Sequence, residues 1–418
     1  MSLTLKRETM EHIDYDIDLS TEELELKTAA HKFAEEVLRP AGKKIDRMTP
    51  DEATAPDSPL FDVLKQATEL GFNRMGAPEE MGGTAVTPRA ATLVNEELAW
   101  GSMGLAGAIG LSSTPANIAM ALGNEEIVEE FARPFFENTG GSIIGCWAVT
   151  EPGHGSDTLG VMQPEMVVET KGQLIARKDG DEYILNGQKS AWVSNGPIAT
   201  HAMLNVHLDP GSKLDHGGIC LMPLSLPGVS RGKPLDKHGV RAMTQGEIFF
   251  DDVRIPKRYM LLDQTAFAPY MNIHLSMFNA GVGTLVTGLA RAAYEEAYNY
   301  AKNRIQGGKP IIEHQSVRAR LFRMFTLLQT CRTLSRGVSI YNGTAMKRGV
   351  PVRLEHSIAS KVYCTNSALE IATLSVQLHG GNGMTKEYPC EMFLRDATAM
   401  TVADGENAYL TQLAASLL

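Results

Sequence analysis

The apolar residues of this 418-residue chain change their period twice, and that switch limits the fold more than any other feature. Up to about residue 140 they recur at helical spacing; between 143 and 256 they fall into short runs; from about 268 the helical period returns. Side chains repeat every 3.6 residues on a helix and every 2 on a strand, so a segment patterned for one cannot bury its apolar side in the other. A chain of this length also exceeds what one simple core accommodates. The expectation is an α+β protein in three parts: a helical region over 1–142, a small β barrel or sandwich over 143–260, and a helical bundle over 261–418.

Ser20-Thr-Glu-Glu23 has the form of a capping box. Behind it Leu26, Ala30, Phe33 and Val37 mark one helix face, and Pro40 is expected to stop the run. The stretches 61–70 and 90–100 read as further helices, separated by Pro- and Gly-rich loops. Strand signals lie at 143–149, 182–185, 202–206, 218–222 and 247–250, each bounded by turn residues. The spacing then predicts four helices, over 285–304, 314–346, 354–378 and 406–418, enough for a bundle.

With 39 Lys+Arg against 49 Asp+Glu, the formal charge is −10, which excludes the basic footprint of a nucleic-acid binder. No apolar run in the sequence is expected to approach the ~20 residues of a membrane span, and the first twenty residues carry no apolar signal segment. The expected compartment is the cytoplasm. Five widely spaced cysteines form no Cys-x-x-Cys pair, and the eleven histidines show no His-x-x-x-His spacing. No metal site or disulfide framework is therefore expected.

Four stretches carry chemistry: Val149-Thr-Glu-Pro-Gly-His-Gly-Ser-Asp157, Phe250-Asp-Asp-Val-Arg-Ile-Pro256, Gln377-Leu-His-Gly-Gly-Asn-Gly-Met384 and Arg395-Asp-Ala-Thr-Ala-Met-Thr-Val-Ala-Asp404-Gly405-Glu406-Asn407. Alone, a Pro-Gly-x-Gly or a glycine pair is an ordinary turn or helix cap. Together, and in this order, they make the chain similar to the acyl-CoA dehydrogenase family, over nearly its whole length from about residue 19. The resemblance implies that family's fold: an N-terminal all-α domain, a middle β domain and a C-terminal four-helix bundle. FAD would lie between the last two.

The resemblance also assigns roles. Trp147, Val149 and Thr150 would line the isoalloxazine, while Ser156 would reach the flavin pyrophosphate or the CoA chain. His154 stands where the family often has a small residue and reads as a loop side chain. Trp192 would cover the ring and Ser194 bond near N5, with one extra residue after Lys189 suggesting a small bulge. Arg304 matches an arginine that contacts flavin phosphate, often across a subunit boundary, although Gly307 replaces the usual Phe. Gln315, Gln377, Gly380 and Gly381 match further flavin positions.

In many family members the carboxylate nine residues after the Arg of an Arg-Asp-Ala stretch is a glutamate, which removes the α-proton of a CoA thioester. Here it is Asp404, shorter by one C–C bond, roughly 1.5 Å. A misplacement of about 1 Å can cost on the order of 10²-fold in rate. Some relatives place the base on the first bundle helix, but the matching position here is Asn279. The N–H of Glu406 would help stabilise the enolate beside Gly405. Alternatively, Asp404 is a solvated helix-start residue.

The implied substrate pocket runs past Gly107, Ala108, Gly110, Ser112, Ser113 and Asn279. These small residues suit a bulky or alicyclic acyl group, and the absence of arginine disfavours a dicarboxylyl-CoA. The resemblance further implies an acyl-CoA substrate, an electron-transfer flavoprotein as acceptor and a homotetramer. Two other readings stay open. One is an altered-base relative that desaturates a ring, decarboxylates, eliminates or reduces an enoyl-CoA; the other is a non-catalytic scaffold that binds flavin or acyl-CoA.

Overall fold

The computed structural model describes residues 11–14, 16–163, 166, 169–211 and 213–418; the first ten residues of the polar N-terminal stretch lie outside it. Helix α1 (Thr21–Phe33) begins at the capping box, with Ser20 and Glu23 each bonding the other's backbone N–H. Pro40 does not stop the run as expected. The chain passes through a five-residue π segment, Ala34–Leu38, and continues as α2 (Arg39–Ile45). The Arg39 N–H reaches back to Ala34 O, and this wider turn absorbs the missing donor and the ring of Pro40. A second π segment, Val128–Ala132, precedes Pro134 in the same way.

The other N-terminal helices are α3 (Pro50–Thr54), α4 (Pro59–Glu69), α5 (Pro88–Gly101), α6 (Met103–Ser112), α7 (Thr114–Leu122), α8 (Glu125–Ile127) and α9 (Arg133–Glu137). The expectations at 61–70 and 90–100 fall on α4 and α5. The sequence reading gave no helix for α6 and α7, whose residues are apolar nearly all round and therefore lack a helical stripe.

Eight strands follow: β1 (Gly145–Ala148), β2 (Ile175–Asp179), β3 (Glu182–Ser194), β4 (His201–His207), β5 (Gly217–Pro223), β6 (Val229–Arg231), β7 (Gln245–Pro256) and β8 (Met260–Leu262). They form one sheet, ordered β6-β7-β3-β2-β4-β5-β8, with β1 parallel to β4. Strands β3 and β7 run well beyond the expected apolar segments, because their ends are half-exposed and polar. For the same reason β2 and β6 left little signal.

The last region holds α10 (Gln264–Asn303), a two-stranded turn of β9 (Ile305–Gln306) and β10 (Lys309–Pro310), then α11 (Gln315–Lys347), α12 (Leu354–His379), α13 (Cys390–Met400) and α14 (Asn407–Ser416). α10 starts about twenty residues before the expected 285, with Pro269 tolerated inside it. α13 is a further helix that was not foreseen. Met103–Leu122 and α10 are, contrary to the sequence reading, long and apolar enough to cross a membrane. However, 67% and 72% of their apolar windows are buried within the fold, as core helices would be.

The N-terminal helices dock on the bundle through buried charge as well as apolar contact. Glu96 of α5 is 3% exposed and meets Arg332 Nη2 of α11 at 2.6 Å and Arg336 Nη2 at 3.0 Å. Its neighbour Glu97 meets Arg291 Nη1 of α10 at 2.6 Å and His31 Nδ1 of α1 at 2.8 Å. Burial opposes ionisation of Glu96, but Arg332 and Arg336 outweigh it and hold the carboxyl well below the usual range. Removing one partner strands the others, which costs about 3–5 kcal/mol. Glu96→Gln should therefore lower the free energy of unfolding measured in urea by that amount at neutral pH. Because the folded carboxyl is depressed, its contribution is full above the ordinary carboxylate pKa and is lost as pH falls below it. The gap between native protein and variant should accordingly close on acidification.

Candidate active site

Three irregular segments carry the residues that the first, middle and last motifs singled out. The first leaves β1. Trp147 donates from Nε1 to Asn205 Oδ1 at 3.0 Å and packs its ring against His274 and Phe278 of α10. Thr150 pairs its hydroxyl with Ser190 at 2.7 Å, tying the loop to β3. Below, Glu151 is fully buried, takes Lys189 Nζ at 2.6 Å and His154 Nε2 at 2.8 Å, and Lys189 also holds Val149 O. His154 lies on the loop, as expected, but as a buried partner of Glu151. Burial opposes ionisation of Glu151, and Lys189 and His154 reverse that, leaving its carboxyl well below the usual range. Glu151, His154 and His207 have ligand atoms close enough to share a metal. Yet the Lys189 ammonium already neutralises Glu151, so a divalent cation would have to displace it.

The second segment is the end of β3. Its register against β7 jumps between Lys189, opposite Ile248, and Val193, opposite Gly246, so the expected bulge is present. It leaves Trp192 59% exposed. Gln245 Nε2 donates to Ser194 Oγ at 2.9 Å and to Trp192 O at 3.2 Å, while its Oε1 accepts from Lys237. Ser194 therefore keeps its own proton free to donate. Asn195 is fully buried with φ 61°, and its Nδ2 binds Ala108 O of α6 and Gly145 O.

The third segment is the turn between α13 and α14. Asp404 sits in the left-handed region at φ 53°, followed by Gly405 at φ 102°. Asp404 is exposed to solvent on this turn, while Gly405 beside it is buried. Desolvation raises its carboxyl above the ordinary aspartate range, and Lys361 opposes that rise. Asn279 Nδ2 lies 3.5 Å from Asp404 O, a long contact. Glu406 caps α14, accepting from Tyr409 N with its carboxylate at 3.0 Å, so that group is engaged by the helix start. The Glu406 N–H, expected to face the substrate, donates instead to Ser156 Oγ at 3.0 Å. Ser156 and Glu406 thus clasp the first and third segments together.

Of the small residues on α6, two serve packing. A Cβ at Gly107 would lie 3.0 Å from Met243 Sδ, and one at Gly104 would lie 2.9 Å from Met243 N. Ala108 and Ser112 are buried. Gly110 alone opens onto free space, beside a cavity of about 170 Å³ lined by Phe72, Asn73, Ile109, Gly110, Ser113 and Asn117.

Arg304, Gln315, Gln377, Gly380 and Gly381 form a second group at the other end of the bundle. Tyr300 joins α10 to the end of α12 through His379 O, and Asn382 Nδ2 donates to the Tyr300 hydroxyl. Arg304 O accepts from Ile311 N, which brings the start of α11 to the same place. Twenty-five residues of α10 separate Asn279 from Arg304, roughly 37 Å of helix. One copy of the chain does not bring the two groups together.

The acyl-CoA dehydrogenase N-terminal, middle and C-terminal domains match residues 20–138, 146–253 and 270–418. Benzylmalonyl-CoA dehydrogenase of Aromatoleum aromaticum is 30% identical over 397 residues, spanning 94% of this chain and 97% of that protein. The mitochondrial short-chain specific acyl-CoA dehydrogenase of Rattus norvegicus is 28% identical over 91% of this chain and 86% of its own. Butyryl-CoA dehydrogenase from Megasphaera elsdenii superposes with a TM-score of 0.83 at 26% identity, covering 96% and 99% of the two chains.

Sequence reasoning did not single out Glu151, Lys189, Asn195, Gln245 or Lys361. Their signal was indirect: polar or charged residues in or beside otherwise apolar strands and helices. Gly405, by contrast, carries a clear local requirement. A Cβ there would meet Leu410 at 2.8 Å and Leu159 at 2.9 Å, on top of the positive φ. Gly405→Ala should therefore displace the Asp404 turn, costing about 1–3 kcal/mol in thermal unfolding and removing most activity, whereas Gly110→Ala should leave the thermal midpoint unchanged.

Proposed function

Because this chain belongs to the acyl-CoA dehydrogenase family, we propose that Asp404 is its catalytic base and that its substrate carries a bulky acyl group. The enzyme is an oxidoreductase acting on CH–CH donors, with FAD as cofactor and an acyl-CoA as substrate. FAD, when bound, supplies a hydride acceptor for the β-hydrogen. The observation that carries the reading is Asp404 itself: a solvent-accessible carboxylate on a pinned, strained turn, with desolvation raising its affinity for a proton. It would take the α-proton onto a carboxylate oxygen, leaving an enolate and giving a 2-enoyl-CoA.

The residues present suit the cofactor. Trp192 offers an exposed indole face, Ser194 a hydroxyl proton already oriented by Gln245, and Thr150 and Val149 a loop end held by Lys189. Arg304, Gly380 and Gly381 are exposed, and nothing stands where a Cβ at either glycine would go. Since roughly 37 Å of helix divides these groups, a flavin held by both needs the Arg304 end of a second copy. This supports an assembly of at least two copies, and the homotetramer remains the proposal that the resemblance implies. We assign electron-transfer flavoprotein as the acceptor and the cytoplasm as the compartment, where five free, buried thiols would stay reduced. The open space at Gly110 and the benzylmalonyl-CoA dehydrogenase relative favour a ring-bearing or otherwise wide acyl group.

Anaerobic titration of the holoenzyme with butyryl-, isobutyryl-, cyclohexanecarboxyl- and cyclohexenecarboxyl-CoA should bleach the flavin fastest with the cyclic esters. Product analysis separates simple desaturation from elimination or decarboxylation. Asp404→Asn should slow reduction by roughly 10²–10⁴-fold with acyl-CoA binding retained; unchanged reduction would remove Asp404 from the mechanism. Arg304→Ala should release FAD on gel filtration without unfolding the protein.

A further inference from the structure

Lys361 lies midway along α12, and its side chain is fully buried. Its Nζ donates to Gly405 O at 2.6 Å and to Asn407 Oδ1 at 2.7 Å, and approaches Thr401 O at 3.5 Å. None of these acceptors is charged, so this buried ammonium lacks the carboxylate partner that usually accompanies one. Asn407 is itself fixed by Thr365 and Asn366 of α12, and its N–H returns to Thr401 O. The turn bearing Asp404 thus hangs from α12 at both ends, and the cation is the bolt.

We infer that Lys361 is a positioning residue for the catalytic base: it holds the turn that strains Asp404 into the left-handed region, and it sets a buried positive charge on the carbonyl of the very next residue. The inference rests on reading Asp404 as the base. Two anionic groups act on Lys361, Asp404 first and Glu406 second. The Glu406 carboxylate is occupied in capping α14, bonded to Tyr409 N. From the other side α10 presents Asn279, which is uncharged. Conversely, Lys361 is the charge that opposes desolvation at Asp404. Burial lowers the Lys361 pKa to about 8, still leaving it mostly protonated at neutral pH. A desolvated aspartate without this neighbour would bind a proton more tightly and start the reaction already protonated in more of the molecules.

The test compares native holoenzyme with Lys361→Met, Lys361→Gln and Lys361→Arg, following anaerobic flavin reduction by the best acyl-CoA from pH 5 to 9, with thermal unfolding in parallel. A base must be ionised, so the rate climbs with pH through the Asp404 pKa. Loss of a cation that lowers this pKa moves the climb to higher pH. Lys361→Met and Lys361→Gln should shift it upward by roughly one unit, while Lys361→Arg should stay near native. Lys361→Gln keeps a donor for Gly405 O without the charge, so it still reports if Lys361→Met fails to fold. A lower rate with the climb unmoved in folded Lys361→Gln would leave only a structural role and overturn the inference. Asp404→Asn in the same assay separates the two claims: if it still reduces flavin, the base reading itself fails.

Discussion

The site is made of irregular backbone, and irregular backbone buried in a protein has carbonyls with no ladder to satisfy them. Three lysines meet that constraint. Lys189 holds Val149 O, Lys237 holds Val240 O and Met243 O, and Lys361 holds Gly405 O. Each ammonium brings three donors to a place where loops from different elements meet. Desolvation lowers the affinity of all three for their protons, to about 7 for Lys237 and about 8 for Lys361. Only Lys189 has a carboxylate in direct contact. The positions of Thr150, Ser194 and Asp404 depend on these clamps more than on the strands and helices that carry them.

A second level of order ties the clamped loops to each other. Glu406 N meets Ser156 Oγ across 250 residues of sequence, and the Tyr409 hydroxyl donates to Asp157 O. Gln245 connects Lys237 to Ser194, and Asn195 connects the end of β3 to α6. The Asp404 turn is thus tied to the loop after β1, and the Ser194 hydroxyl and the small-residue helix are tied to the end of β3. The charge network of Glu96 and Glu97 plays the corresponding part for the N-terminal helices and the bundle.

The helical, β, helical order could be read directly because burial on one face imprints its period on the sequence. Where that imprint is missing, the reading failed for identifiable reasons. α6 and α7 are apolar on almost all sides; β2 and the outer parts of β3 and β7 are polar; Pro40 sits beyond a π turn that no periodicity announces. The motifs led to Asp404, Ser156, Ser194 and Trp192 because each lies in a short, unusual run of residues. Lys361, in the middle of a helix, had no such setting and became visible only when its acceptors on a distant turn were known.

Composition, period and motif determined the order of the three regions, the family and the identity of the carboxylate, since each of these is a property of residues close in the chain. The tertiary structure decided what surrounds that carboxylate. It set Lys361 from α12 and Asn279 from α10 against the backbone of the Asp404 turn and engaged the Glu406 carboxylate in capping α14. Elsewhere, on α6, it left Gly110 open while filling the space at Gly107 with Met243. It also set roughly 37 Å of α10 between the two groups of flavin-matching residues. Desolvation, buried charge and reach all depend on atoms far apart in sequence, so no local pattern could have carried them.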